Sequence, residues 1–558
     1  MLTVDVIPSF ECAGVTVKYT DETSTPTIQF REAGGVWHRA HTLYNYALIK
    51  EFRGSIFWLK ENTDYEVEVG GVTKTFKTRN SHPPMAELKI ITSGTTITES
   101  GTPEGYIYYT CLENNIGSVV VRASYIVLVG LLVKDTPDTG ILVSGENIEG
   151  QVHDVILDGC QLANNGPTAV DSPSISSIRI DYAASRVTVQ NCDIYVTNPN
   201  ALGDRNGIYH WRAGEQLVFR HNKIHGEPWD GIGGGPEGST ATLNDCDVYE
   251  NEITEAWDDG IQIEGGCINT RAWGNKIKSS MLGITVAPVL EGPAYILFNQ
   301  VCADKTKRIV GVNGLLGSGK GAGRVYCYNN SFWGMAGSIG FSAKNYGVYN
   351  HICQNNIIYT DRYAIEWGHE PDGTDCVMTS NILSHRDTGY KLIKWGAAAT
   401  NYVLGSNLED VDPLFVDVTI GDFNLSPGSP AIGAGVVLPN INDDTAPVKY
   451  RGNNIGAVQS TEEEPIVGEM KTFSGGVSDQ VAAAEVITVA ITTPLGSTDV
   501  ITGATLEDKS YSVTYEATQP GTYLVVATIG NDGVYSSAIS PEKTFSVLIP
   551  RTITLEIS

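Results

Sequence analysis

An asparagine followed two positions later by an apolar residue recurs through the middle of the chain. It stands at Asn222-Lys-Ile, Asn251-Glu-Ile, Asn275-Lys-Ile, Asn299-Gln-Val, Asn330-Ser-Phe, Asn356-Ile-Ile and Asn381-Ile-Leu, at intervals of 29, 24, 24, 31, 26 and 25 residues. Most of these follow a short β-rich segment such as Gln216-Leu-Val-Phe219 or Ala294-Tyr-Ile-Leu-Phe298. Gly-Ile pairs add a second beat, at Gly231-Ile232, Gly260-Ile261 and Gly283-Ile284, with Gly207-Ile208 one repeat earlier. A period near 25 is too short for a propeller blade, the leucine lattice of leucine-rich repeats is absent, and the β-branched content rules out helical repeats. The pattern predicts a right-handed parallel β-helix, each coil turning at its Asn, whose amide bonds the same group above and below.

At 558 residues the chain has room for more than the solenoid. Residues 1–80 read as a small β-sandwich, because Leu59-Lys-Glu-Asn-Thr-Asp-Tyr65-Glu-Val-Glu-Val and Thr75-Phe-Lys-Thr alternate as a half-buried hairpin does. This Leu…Thr-x-Tyr-x-Val-x-Val pattern resembles the later strands of a fibronectin type III domain. Asn80-Ser-His-Pro-Pro reads as a linker, and the solenoid is placed at 88–457. Its last part, Asp412-Pro-Leu-Phe-Val-Asp417, Asp422-Phe-Asn-Leu-Ser-Pro-Gly-Ser-Pro-Ala-Ile-Gly433 and Arg451-Gly…Ile455-Gly-Ala457, resembles the closing segment of bacterial right-handed β-helix proteins. After an acidic linker at Thr461-Glu-Glu-Glu-Pro-Ile, residues 467–558 alternate as an immunoglobulin-like sandwich.

A net charge of −27 disfavours nucleic acid as a partner and repels polyanions unless cations or a local basic patch intervene. No run of 18 apolar residues is present, so no membrane insertion is expected. Met1-Leu-Thr-Val-Asp lacks the regions of an export signal. A secreted product is expected, its signal trimmed or its exit made by another route, for example with a phage particle. The ten cysteines, eight of them between Cys160 and Cys376, show no zinc spacing and read as buried free thiols stacked in the solenoid. Gly317-Ser-Gly-Lys320-Gly-Ala-Gly is superficially similar to a phosphate loop, but lacks the Gly-Lys-Ser/Thr ending and reads as a plain loop.

Aligning coils on their Asn columns places Asn206, Asp230 and Asp259 in one stack ahead of the Gly-Ile strand, and Leu282 ends it. With the Ile residues inward, alternation sends Tyr209, Trp211, Gln262 and Glu264 outward, with Arg179 and Asp181 one coil earlier. Strict alternation turns His210 inward, although it stays among the candidates for substrate contact. Asp204, Arg212, Trp229 and Trp257 border the same strands, and Gly233 to Gly235 leave the floor without side chains. Arg271 reads as a bridge between coils. Asp-Gly is also ordinary turn chemistry, which any coil needs.

Carboxylates beside aromatic rings suit a polysaccharide groove. Glycosidic hydrolysis needs one acid to protonate the leaving oxygen and a second carboxylate opposite. Asp230, Asp258, Asp259 and Glu264 are the candidates, and mutual repulsion between them would hold a proton on one. Retaining and inverting spacings both remain open at one-coil and diagonal separations. The segment from Asp258 to Asn275, with Gly283-Ile-Thr-Val-Ala-Pro288 and Gly292-Pro-Ala-Tyr-Ile-Leu-Phe-Asn299, resembles a group of bacterial β-helix proteins. The paired Asp before an outward strand resembles pectin-lyase-like carbohydrate-active proteins, both pectin hydrolases and calcium-dependent lyases. The hydrolases' Gly-His-Gly and Arg-Ile-Lys signatures are absent, and Leu282-Gly-Ile-Thr-Val holds no lyase-like Lys.

A glycoside hydrolase that requires no cofactor is therefore the first reading. The second is a polysaccharide lyase or uronate epimerase with Ca²⁺ on the Asp cluster and Tyr209, His210, Arg212 or His225 handling the α-proton. The third is a non-catalytic glycan-binding or tailspike-like adhesin.

Overall fold

The computed structural model divides into two compact units, Met1–Glu462 and Glu463–Ser558. It describes residues 2–458 except 22–23, 113–114, 147–150, 166–174, 198–204, 235–242, 279–280, 287–288, 304–309, 312–322, 335–337, 344–348, 368–375, 388 and 396–401, and beyond them the strands between Val486 and Ile557. Asp204, Gly235 and most of the loop around Lys320 lie outside the described residues.

The centre is a right-handed parallel β-helix. Its coils stack into three parallel sheets of 12, 13 and 11 strands. The 12-stranded sheet runs from Thr95–Ile97 to Ile393–Trp395, and the 13-stranded sheet from Met85–Ile91 to Tyr402–Gly405. One continuous apolar core fills the interior, with Ile178, Ile208, Ile232, Ile261 and Ile284 lined up behind the 12-stranded sheet. All ten cysteines are free and nine are buried, the outcome their spacing predicts.

The asparagine repeat forms a continuous amide column. Asn251 Nδ2 donates to Asn275 Oδ1 (2.9 Å) and to the Phe219 carbonyl (2.9 Å), while Asn275 Oδ1 also accepts the Asn251 backbone N–H. The same bonding runs from Asn222 through Asn299, Asn330, Asn356 and Asn381 to Asn407. Asn407 escapes the sequence rule because Glu409, not an apolar residue, stands two positions later. At the other end Cys192 takes the column position, its N–H donating to Asn222 Oδ1.

The N-terminal residues fold as two four-stranded antiparallel sheets, with Val15, Val17, Phe30, Phe52, Tyr65 and Val67 between them. The expected hairpin pairs Asp64–Val69 with Val72–Lys77. This sandwich packs along the flank of the solenoid. Phe10 and Phe57 join Tyr249, Trp273, Tyr295 and Tyr328 of the 13-stranded sheet's outer face, and Arg220 reaches Glu61. The closing segment runs back beside the coils, with Asn440 bonding Phe57 in both directions and Ala457 N–H donating to Ser331. Arg271 is a bridge as expected: fully buried, it binds Asp247 of the preceding coil and Ser55 of the sandwich. These contacts leave the 12-stranded sheet as the face that carries the Asp column. In the second unit the described strands are antiparallel, Val486–Thr492 lying between Thr498–Ala504 and Gly521–Ile529. Among the described residues no helix is long and apolar enough to cross a membrane.

Candidate active site

The Asx-Gly-Ile repeat builds a second column at the entrance to the 12-stranded sheet. Asp230 N–H donates to Asn206 Oδ1 (2.9 Å), and Asp259 N–H donates to Asp230 Oδ1 (3.0 Å). Leu282 pairs with Asp259 and ends the column. Only acceptors are needed here, because Asn206 and Asp230 each receive a backbone N–H from the next coil and Asp259 receives a hydroxyl. Carboxylates therefore fit where the amide column would reject them.

Both Asp side chains turn toward the outer face. Asp230 folds over Gly233, where a Cβ would lie 2.6 Å from its Oδ2, so glycine is required to seat the carboxylate. Gly234, with φ at +133° and the His210 carbonyl 2.1 Å from a would-be Cβ, is equally fixed. Asp259 Oδ2 accepts from the Thr285 hydroxyl (2.7 Å), while its Oδ1, also buried, has no hydrogen-bond partner among the described residues. Burial, then Asp230, Asp258 and Glu264, push the Asp259 carboxyl well above the ordinary carboxylate range. Asp258 is half-buried beside it, with its N–H on the Trp229 carbonyl of the preceding coil.

An aromatic–cationic strip adjoins the column on the preceding coils. Tyr209 and Trp211 lie parallel, with centroids 6.2 Å apart. Arg179 sits over Tyr209 and pairs with Asp181 at 3.0 Å, and exposed Arg212 covers Trp211. Burial raises the Asp181 carboxyl despite that partner. Arg179, Tyr209, Gly233, Gln262 and Thr285 occupy one register position across successive strands. Trp229 is half-buried and Trp257 is exposed at the turn.

Three placements differ from the sequence reading, and His210 takes the inward side that alternation gives it instead of a place in substrate contact. His210 faces the core, stacked on Phe219 at 6.2 Å, and burial lowers it to about 4, which removes it from substrate contact. His225 belongs to the 11-stranded sheet, bonded to Asp193 at 2.7 Å, so it does not share the Asp face. Gln262 is committed to the scaffold, its Oε1 accepting the Gly234 N–H. Glu264, expected outward along the strand, lies past the end of Asp259–Gln262 and is 5% exposed, close enough to raise Asp259. Thr285 was not singled out from sequence, although its alignment with Gln262 in the Gly283-Ile-Thr frame marks the position.

The family described as right-handed β-helix region matches residues 114–288, which contain this site. No curated protein matches the sequence. Among solved structures, the chain is similar to the periplasmic alginate epimerase AlgG at 12% identity and TM-score 0.31, covering 55% of this chain and 77% of that one. It is similar to a family 28 exopolygalacturonase of Yersinia enterocolitica at 10% identity and TM-score 0.26, with coverages of 74% and 98%. It is also similar to the catalytic unit of a GH87 α-1,3-glucanase from Streptomyces thermodiastaticus at 12% identity and TM-score 0.28, with coverages of 73% and 90%.

Proposed function

We propose that the protein hydrolyses glycosidic bonds of a polysaccharide laid across the 12-stranded sheet, with Asp259 as the general acid. The observation that carries this reading is the state of Asp259: buried, surrounded by other carboxylates, and holding one oxygen with no hydrogen-bond partner among the described residues. Such a group keeps its proton at pH values where an ordinary Asp is ionised, which a donor to the leaving oxygen requires. Asp230, one rung away and turned to the same face, is the second carboxylate, and half-buried Asp258 borders both. Protonation by Asp259 breaks the bond to the leaving sugar. The second carboxylate either receives the anomeric carbon or takes a proton from the attacking water. Half-buried Trp211 offers ring surface to the sugars, with buried Tyr209 parallel to it and Arg179 and Arg212 over the two rings.

A lyase or epimerase needs a base above the groove. His210 in the core and His225 on another sheet leave Tyr209 and Arg212 to that reading, while the surplus of carboxylates around Asp259 favours hydrolysis.

The test is incubation with a panel of neutral and uronate polysaccharides, with and without EDTA, for the wild type and Asp259→Asn. New reducing ends without the ultraviolet absorbance of an unsaturated uronate, lost in the variant, are expected. Absorbance that EDTA abolishes would establish a calcium-dependent lyase instead, and silence in both channels would leave a glycan-binding protein.

A further inference from the structure

The outward register position that carries Tyr209 and Gln262 continues along the same sheet. From Gln262 it passes through Thr285, Gly311 and Ser342 to Glu366, and then to Lys394. Glu366 therefore lies four rungs from Gln262, about 19 Å at the ~4.8 Å spacing of bonded strands. Glu366 is 4% exposed, and its Oε1 accepts from Lys394 Nζ at 2.8 Å. Its Oε2 is buried and has no hydrogen-bond partner among the described residues. The same holds for the Nε–H of Arg362, four positions earlier. Arg362 lies over the rings of Tyr390 (4.7 Å) and Tyr363 (5.3 Å), and Lys394 lies over Tyr363 at 5.1 Å. The two rings meet edge to face, 5.2 Å apart.

A buried acceptor and a buried donor without partners among the described residues, built around one aromatic frame, are costly unless something fills both. An anion would satisfy Arg362 alone, and a cation Glu366 alone. A hydroxyl donates and accepts at once, so hydroxyl groups on a neutral ring satisfy both. The geometry points to a second sugar-binding position at Arg362, Tyr363, Glu366, Tyr390 and Lys394, which grips hydroxyls of the same polymer about 19 Å along the sheet from the cleavage point. This rests on the reading of the protein as polysaccharide-active. It gives the chain a way to select long polymers over short oligosaccharides.

The experiment is native electrophoresis of the full-length protein through gels carrying each polysaccharide of the panel, alongside kinetics on polymer and on short oligosaccharides. Glu366→Gln preserves shape and Lys394→Met removes the neighbouring cation; thermal unfolding of both is recorded. Each variant is expected to bind polymer about tenfold more weakly and to raise KM on polymer alone, as loss of a hydrogen bond to a charged group does. Its kcat and its turnover of short oligosaccharides should stay unchanged. If both variants match the wild type while Tyr209→Ala loses polymer, the sugar position is wrong and the polysaccharide reading stands. If lower melting temperatures accompany an equal loss on short and long substrates, Glu366 is structural and the proposal falls. A wild type that neither binds nor cleaves any polymer overturns both.

Discussion

Two columns of Asx side chains climb the solenoid, and they are wired in opposite directions. In the amide column, each Nδ2 from Asn222 to Asn381 donates both to the next Oδ1 and to a strand carbonyl, so these members must supply donors. In the short column, Asn206 and Asp230 each accept a backbone N–H from the following coil, and Asp259 at its end accepts the Thr285 hydroxyl. The first column can be built from Asn alone and serves the stack. The second tolerates a carboxylate and leaves one of its oxygens for other work. Structural grammar and candidate chemistry thus share one local pattern, Asx-x-apolar, and differ in which hydrogen bonds the turn demands.

Exchanging the residue types between columns tests this contrast. Asp259→Asn keeps the accepting oxygen and removes the acidic proton. We expect kcat on the cleaved polysaccharide to fall about 10²–10⁴-fold, the usual contribution of a general acid, with an unchanged circular dichroism spectrum. Retained activity would reduce the carboxylate column to turn chemistry. The converse exchange, Asn275→Asp, sets carboxylate oxygens against the Val248 carbonyl and Asn299 Oδ1. It should cost about 3–5 kcal/mol in chemical denaturation, as a buried uncompensated charge does, without changing activity per folded molecule. A loss below ~1 kcal/mol would show that the column relaxes, and that the donor requirement is not what separates the two.

The same contrast has a pH signature. Because the folded-state carboxyl of Asp259 is raised above its unfolded value of about 3.8, the folded chain binds the extra proton between those two values. The stability this group contributes is complete below the unfolded value and is lost as pH rises through the folded one. Relative to the wild type, Asp259→Asn should therefore gain stability progressively as pH climbs from about 4. Denaturation curves at several pH values measure it. A pH-independent difference would mean that Asp259 is ionised in the folded protein, and so not the acid.

How far the sequence reached follows from these two columns. A repeated Asn in a fixed frame fits few architectures besides stacked coils, so the solenoid and the Asp stack were both legible. The Cys192 substitution within the amide column and its extension to Asn407 were not, because neither keeps the Asn-x-apolar frame. The sandwich's seat on the flank was hidden as well, since Phe10, Phe57, Tyr249 and Trp273 read singly as ordinary core aromatics. His210 shows alternation outperforming residue type: its neighbours Tyr209 and Trp211 face out, so it faces in, whatever its chemistry. Glu366 and Lys394 meet only because one coil here spans 28 residues, a distance over which no sequence window pairs them.

The smallest effect concerns the strip beside the carboxylates. Trp211 is half-buried, lies parallel to Tyr209 and is covered by Arg212, so it contributes contact area to a ligand more than to the core. Trp211→Ala should raise KM for polymer about two- to tenfold, equivalent to the ~0.5–1.5 kcal/mol that an aromatic pairing adds beyond buried area, and should leave kcat within about twofold. Initial-rate kinetics over a range of polymer concentrations read both. His210→Phe is the matched control on the next position: it replaces a neutral buried ring that already stacks on Phe219, so neither KM nor kcat should move. If the histidine variant loses rate while the tryptophan variant keeps its affinity, the outward and inward sides of this strand have been assigned the wrong way round. The sugar path would then have to be drawn elsewhere than over Tyr209.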